Sequence, residues 1–305
     1  MIAIALTIAA SVAVGVACEQ RWGEGSERAA RGVLAAILYA FVPFIVFFNL
    51  ARLEVDTDVA GGLLFAHLML LAVGGLAYVA GKRLLHLDRS GTGALMVAVM
   101  QVNTGYVGLP LVVALLGSDA LAEAAAYDAI VTAPVLFGAV FAVGAAFGSK
   151  AGDTAGERIR SFFVRNPPLL AVIAALLAPD SLAPDALVDA SRVLVFALVP
   201  LGFFAVGVIL GREAEDGDLA VPPPLSRPVL AVLGLRLLVA PALLFALAAP
   251  FIDLPASYLI QAAMPCGINS LVVAHVYGLD LKLVSSAVAW STAIVIAGGL
   301  VASVV

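Results

Sequence analysis

The stretch Gln101-Val102-Asn103-Thr104-Gly105-Tyr106-Val107-Gly108-Leu109-Pro110-Leu111 decides how this chain is read. It lies at the middle of an apolar run from about residue 91 to 116. A run of that length crosses a bilayer as helix, which takes ~20 residues. Yet the stretch contains what a helix tolerates worst. Each glycine weakens a helix interior by roughly 1 kcal/mol against alanine. Pro110 removes a backbone donor and crowds the preceding turn. The helix is therefore expected to unwind for a few residues. Irregular backbone at that depth persists only when it is buried in protein or lines a wet cavity, so a polar cavity is expected there.

The same design recurs later. Pro265-Cys266-Gly267-Ile268-Asn269-Ser270 interrupts the apolar run 254–277. Gln101 is followed ten residues on by Leu111-Val112-Val113-Ala114, and Gln261 ten residues on by Leu271-Val272-Val273-Ala274, an offset of 160. The offset carries on through Ala129 and Ala289, Thr132 and Thr292, Ala133 and Ala293, Val135 and Val295, and Gly138 and Gly298. Pro43 and Phe47 mirror Pro200 and Phe204 at an offset of 157. Three segment pairs in one order indicate an internal repeat.

The rest of the chain suits a membrane. Of its 305 residues 63% are hydrophobic and 12% charged, with mean hydropathy +1.11. Soluble domains carry roughly 25% charged residues, so most of this surface cannot face water. Division at charged, Pro-rich and Gly-rich breaks gives ten apolar segments: 1–17, 29–50, 60–80, 91–116, 122–147, 166–179, 191–210, 228–250, 254–277 and 282–304. The expected fold is an all-α integral membrane protein of ten transmembrane helices, with the fourth and ninth broken and crossing at the midplane. Residues 1–148 form the first five-helix repeat, 149–165 a cytoplasmic linker and 166–305 the second repeat. Five is odd, so the second copy enters the membrane from the opposite side, the inverted-repeat design of many secondary transporters.

Basic residues set the orientation. Thirteen of the sixteen Lys and Arg fall in or beside loops after the odd segments, from Arg21 to Lys282, and only Arg52 and Arg192 in the other loops. By the positive-inside rule the odd loops are cytoplasmic and both termini face outward across a cell (inner) membrane. Residues 1–17 end in small residues before Cys18 but have no basic n-region, so they are expected to remain as the first helix. Cys18 and Cys266 form no CxxC pair, and no zinc pattern occurs. No cofactor, metal or nucleic-acid partner is expected.

Each break creates a half-helix N-terminus with free N–H groups and partial positive charge. Two such ends together make an anion site without a fixed cation. The expected substrate-binding set is Gln101, Asn103, Gly105, Tyr106, Gly108, Pro110, Gln261, Pro265, Gly267, Ile268, Asn269 and Ser270. The expected ligand is a small organic anion. Four further residues are candidates for coupling or gating. Asp128 lies near the outer end of the fifth segment. His67 is read either as a proton carrier, the role that suits a histidine, or as a packing residue. Arg236, eight residues into the eighth segment, either attracts substrate or serves structure. His275 stands near the cytoplasmic end of the ninth.

These motifs carry a family resemblance. Asn103 to Leu111 resembles the fourth-helix signature of the auxin efflux carrier family, within the bile acid/sodium symporter and sodium–proton antiporter-like superfamily. Gln261 to Lys282 resembles its ninth helix, with Met264-Pro265 and Ala274-His275-Val276-Tyr277-Gly278-Leu279-Asp280. Asn166-Pro167-Pro168-Leu169-Leu170 resembles the start of its sixth helix and Val42-Pro43-Phe44 its second. The mid-chain loop is short, as in bacterial members and unlike plant ones. The resemblance implies a scaffold domain of helices 1, 2, 6 and 7 and a transport domain of helices 3–5 and 8–10. It also implies an auxin-like or other carboxylate substrate, an elevator motion and a homodimer. The alternative is a sodium-coupled bile-acid-type symporter. An enzyme is not expected, since neither HExxH nor GxSxG occurs.

Overall fold

The structure, a computed structural model, describes residues 2–50, 60–117, 120–165, 167–179, 182–215, 223 and 225–302. Arg52 and Asn166 lie outside the described residues. The regular structure among them is all helix, with no strand beyond one isolated bridge. Five stretches are long and apolar enough to cross a membrane: Glu24–Ile45, Gly61–Leu84, Glu123–Phe147, Arg227–Ala248 and Leu281–Gly299.

The first helix, α1 (Ile2–Trp22), outruns the expected 1–17 and meets α2 (Glu24–Ala36) at a sharp corner. Gly23 makes the corner at φ 47°, a backbone that side chains rarely adopt. A π turn, Ile37–Phe41, continues α2 into Val42–Leu50. Next come α3 (Ala60–Val79), drawn out by the π turn Ala80–Leu84, and α4 (Arg89–Met100). After an interruption, the π turn Thr104–Gly108 leads into α5 (Leu109–Leu116). α6 runs from Leu121–Tyr127 through the π turns Asp128–Thr132 and Leu136–Val140 to Phe141–Phe147.

The linker, expected as a loop, holds a helix, α7 (Ala155–Val164). Thr154 accepts from the Glu157 N–H while the Glu157 carboxylate accepts from the Thr154 N–H, a reciprocal cap that fixes where α7 starts. Then follow α8 (Pro167–Leu177) and α9 (Asp185–Glu215). α9 passes through Pro200 without ending and exceeds the expected 191–210. α10 starts as Arg227–Leu233, takes a π turn at Gly234–Val239 and closes as Ala240–Ala248. The chain finishes with α11 (Ala256–Ala262), α12 (Asn269–Tyr277) and α13 (Leu281–Ala302). α5 and α12 start at Leu109 and Asn269, and α6 and α13 at Leu121 and Leu281, so both pairs are 160 residues apart.

Two sets of helices pack among themselves. α9 lies along α1 and against Val42–Leu50, and α8 lies on that same stretch. Glycines let α1 and α9 approach at backbone distance: a Cβ on Gly207 would sit 2.2 Å from the Val12 carbonyl oxygen, and one on Gly15 2.3 Å from that of Phe204. Charges tie the same helices at one end. Glu19 is fully buried and accepts from the Ser26 hydroxyl at 2.5 Å. Arg212 of α9 reaches Glu27 of α2 at 3.0 Å. In the second set, α3 packs on α4 and α10, while α4 packs on Phe141–Phe147 and α13. Nine of the twelve residues of α4 are buried, and α12 is buried from Ser270 to Ala274. One helix beside each interruption, α4 and α12, thus lies in the protein interior.

Candidate functional site

Both interruptions expected from the sequence are present. α4 stops at Met100, and Gln101, the residue after it, turns to extended backbone with ψ 113°. α11 stops at Ala262, four residues before the bridge. There Val102 and Cys266 pair in antiparallel fashion. The Asn103 N–H donates to the Pro265 carbonyl at 2.9 Å, and the Gly267 N–H to the Gln101 carbonyl at 2.8 Å. The Cys266 N–H donates to the Ser291 hydroxyl of α13 at 3.1 Å. The two broken segments are therefore joined by main chain, and each supplies partners for backbone groups that its own break has freed.

Polar side chains crowd around this junction. Asn103, Gln101 and Gln261 are 2%, 3% and 0% exposed. Both ends of the Asn103 amide, and the oxygens of the Gln101 and Gln261 amides, have no hydrogen-bond partner among the described residues. A buried polar atom without a partner costs about 1–3 kcal/mol, so four of them together make this place the candidate site. The nitrogen of Gln261 is used: it donates to the Ala124 carbonyl of α6 at 3.0 Å. Ser270 spends its hydroxyl on the Gly267 carbonyl at 2.6 Å. Asn269 opens α12 and is half-buried.

The glycines show how tight the place is. A Cβ on Gly108 would lie 2.0 Å from the Gln261 amide oxygen, and one on Gly267 2.9 Å from the Gln101 amide nitrogen. Ile268 fills the space above Gly202 of α9. Around these three glycines the junction is closely packed. A hollow of about 280 Å³ lies at the linker, lined by Lys150, Glu157, Arg160, Ser161 and Arg165 among others.

Asp128 stands beside the first break. The Thr104 hydroxyl donates to its carboxylate and also meets the Thr132 hydroxyl at 3.0 Å. A Cβ on Gly105 would come within 3.5 Å of both Asp128 oxygens. Tyr106 and Pro110 are half-buried, Tyr106 packing on the core. Thr104 and Thr132 are the functional candidates that sequence reasoning passed over. Thr104 sits inside the stretch 101–111, and Thr132 is one half of the repeat pair with Thr292.

Arg236 resolves toward structure. It is fully buried, and its two terminal nitrogens donate to the carbonyls of Val99, at 3.0 Å, and of Ala262. Those carbonyls belong to the last turns of α4 and α11, where helices carry unpaired acceptors and partial negative charge. One guanidinium therefore closes both half-helices that run into the junction. His67 bonds locally, its Nδ1 2.8 Å from the Leu63 carbonyl one turn back. The His275 carbonyl takes the Lys150 ammonium at 3.3 Å, and α12 ends just beyond on Gly278 at φ 71°.

The comparisons with known proteins follow the same line. Residues 163–301 match the family model described as membrane transport protein. A protein of Methanocaldococcus jannaschii described as an uncharacterized transporter is 25% identical over 267 residues, 83% of this chain and 82% of the relative. Another uncharacterized transporter, from Methanothermobacter thermautotrophicus, is 27% identical over 274 residues, 84% of this chain and 82% of its own. With these matches the resemblance to the auxin efflux carrier family is borne out, and the chain is a multi-pass membrane protein similar to transporters of that kind.

Proposed function

We propose that this protein is a secondary carrier for a small organic anion, an auxin-like or other carboxylate, which binds at the junction of the two broken segments. The observation that carries this reading is the buried Asn103 amide, unpartnered at both ends where the broken segments meet. Free amides with the N-terminal ends of the π turn Thr104–Gly108, which leads into α5, and of α12 suit a carboxylate: N–H groups take its oxygens and the helix ends favour its charge.

In this reading the chain crosses the membrane ten times, α4 with α5 and α11 with α12 each counting as one broken crossing. The common offset of 160 in where α5 and α12, and α6 and α13, begin supports two inverted repeats. α1, α2, α8 and α9 are the scaffold and the remaining membrane helices the moving part, an elevator. The tight packing at the junction then belongs to a closed stage of the cycle. Both termini face away from the cytoplasm of a cell (inner) membrane, and two copies associate through their scaffolds. Sodium coupling of the bile-acid type is disfavoured by Arg236. Helix-end carbonyls are what a sodium ion takes in such carriers, and here a guanidinium already holds them.

The test is a thermal-shift screen of purified protein against mono- and dicarboxylates. A carboxylate is expected to stabilise the wild type, and Asn103→Ala to weaken its binding by about 1–3 kcal/mol, roughly 5- to 150-fold. Equal stabilisation of both proteins puts the site elsewhere.

A further inference from the structure

We propose a second anion site, separate from the transport junction, that holds the headgroup of an anionic phospholipid at the linker. Three observations meet there. The hollow between Lys150 and Arg165, about 280 Å³, has Lys150, Arg160 and Arg165 in its lining against one carboxylate, Glu157. That carboxylate is already committed to the N–H groups of Asp153 and Thr154 at the start of α7. Ser161, which also lines the hollow, is 7% exposed, and its hydroxyl has no partner among the described residues. An excess of cations beside an unspent hydroxyl is the chemistry of a phosphate site.

The flank of α7 says where the phosphate comes from. Glu157, Arg160, Ser161 and Val164 recur at three- and four-residue spacing, so they share the face that lines the hollow. Ile159 and Phe163, four apart on the adjoining face, are 61% and 50% exposed, and Val164 is 66% exposed. A ten-residue helix with an apolar stripe beside a basic one lies in the membrane interface, its apolar face in the acyl boundary and its cations among the headgroups. Lipid chains cover Ile159 and Phe163, and the headgroup of the same layer fills the hollow. A soluble anion accounts for the cations and leaves the apolar stripe bare.

The site is wired to α12. The Arg165 guanidinium donates to the Lys150 carbonyl at 2.6 Å and the Val276 carbonyl at 3.2 Å. The Lys150 N–H donates to the Tyr277 carbonyl at 2.9 Å. A headgroup held by these cations fastens the linker to the end of the second broken segment.

The experiment compares thermal stability of the full-length protein in lipid nanodiscs of phosphatidylcholine alone and with increasing phosphatidylglycerol. Saturable stabilisation by phosphatidylglycerol is expected. Lys150→Gln and Arg160→Gln, both exposed side chains, are each expected to raise the phosphatidylglycerol level needed about fivefold. Equal stability in the two lipids, or a phosphatidylglycerol effect untouched in the double variant, overturns the site. Stabilisation in phosphatidylcholine discs by millimolar inorganic phosphate, lost in the double variant, assigns the site to a soluble anion and overturns the lipid. If the variants do not fold, the two-lipid comparison of the wild type decides alone. No carboxylate substrate is involved, so the outcome is independent of the transport reading.

Discussion

At the scale of single residues, the site divides into groups that hold the junction and groups left free within it. Arg236 is the first kind. Its removal orphans two buried helix-end carbonyls, at about 1–3 kcal/mol each. Arg236→Ala is therefore expected to lower the unfolding midpoint in detergent well below that of the wild type. Arg236→Lys should recover only part, because an ammonium lacks the planar fork that spans two acceptors. An Arg236→Ala midpoint equal to that of the wild type contradicts the clamp. Asn103 is the second kind, and its substitution should leave stability nearly unchanged while binding falls. This division was only half legible in the sequence. Asn103 and Gly108 declared themselves by standing in an apolar run. Arg236 declared its cost without its partners, since Val99 and Ala262 are apolar residues that offer nothing but their carbonyls, and no sequence pattern marks a backbone acceptor.

At the scale of elements, the glycine contact between α1 and α9 gives the sharpest expectation. Gly207→Val places a branched side chain where even a Cβ meets the Val12 carbonyl at 2.2 Å. Overpacking of this kind costs about 1–3 kcal/mol, so the unfolding midpoint should drop and the yield of folded protein with it. A neutral effect would mean that α1 and α9 have another way to pack. Three π turns deserve the same attention to position. They fall at Thr104–Gly108, Asp128–Thr132 and Gly234–Val239, each beside or containing a site residue. Such turns re-aim side chains and gather at functional places. They were invisible beforehand, because a π turn and an α turn draw on the same residues and the packing around them decides. The helix in the linker, by contrast, was written in Thr154-Ala155-Gly156-Glu157, a capping signature that the basic residues around it obscured.

At the scale of the whole molecule, the breaks and the 160-residue offset were readable because proline, glycine and asparagine are rare in apolar runs. The closed packing at the junction was not, because it depends on how Gln261, Met264 and Ile268 fill space. One expectation belongs to the molecule as a carrier. In proteoliposomes, uptake of a transported carboxylate should keep its rate when choline replaces sodium, since the helix-end carbonyls are already occupied by Arg236. A rate that collapses without sodium would favour the bile-acid-type alternative.

The pairing of Val102 with Cys266 has a consequence for genetics. Its two flanking hydrogen bonds join amide to carbonyl, and every coded substitution except proline leaves an amide in place. A mutational scan without proline would pass over this tie between the two broken segments. Only chemical replacement of the Asn103 or Gly267 amide by an ester would reveal how much of the carrier hangs on two main-chain contacts.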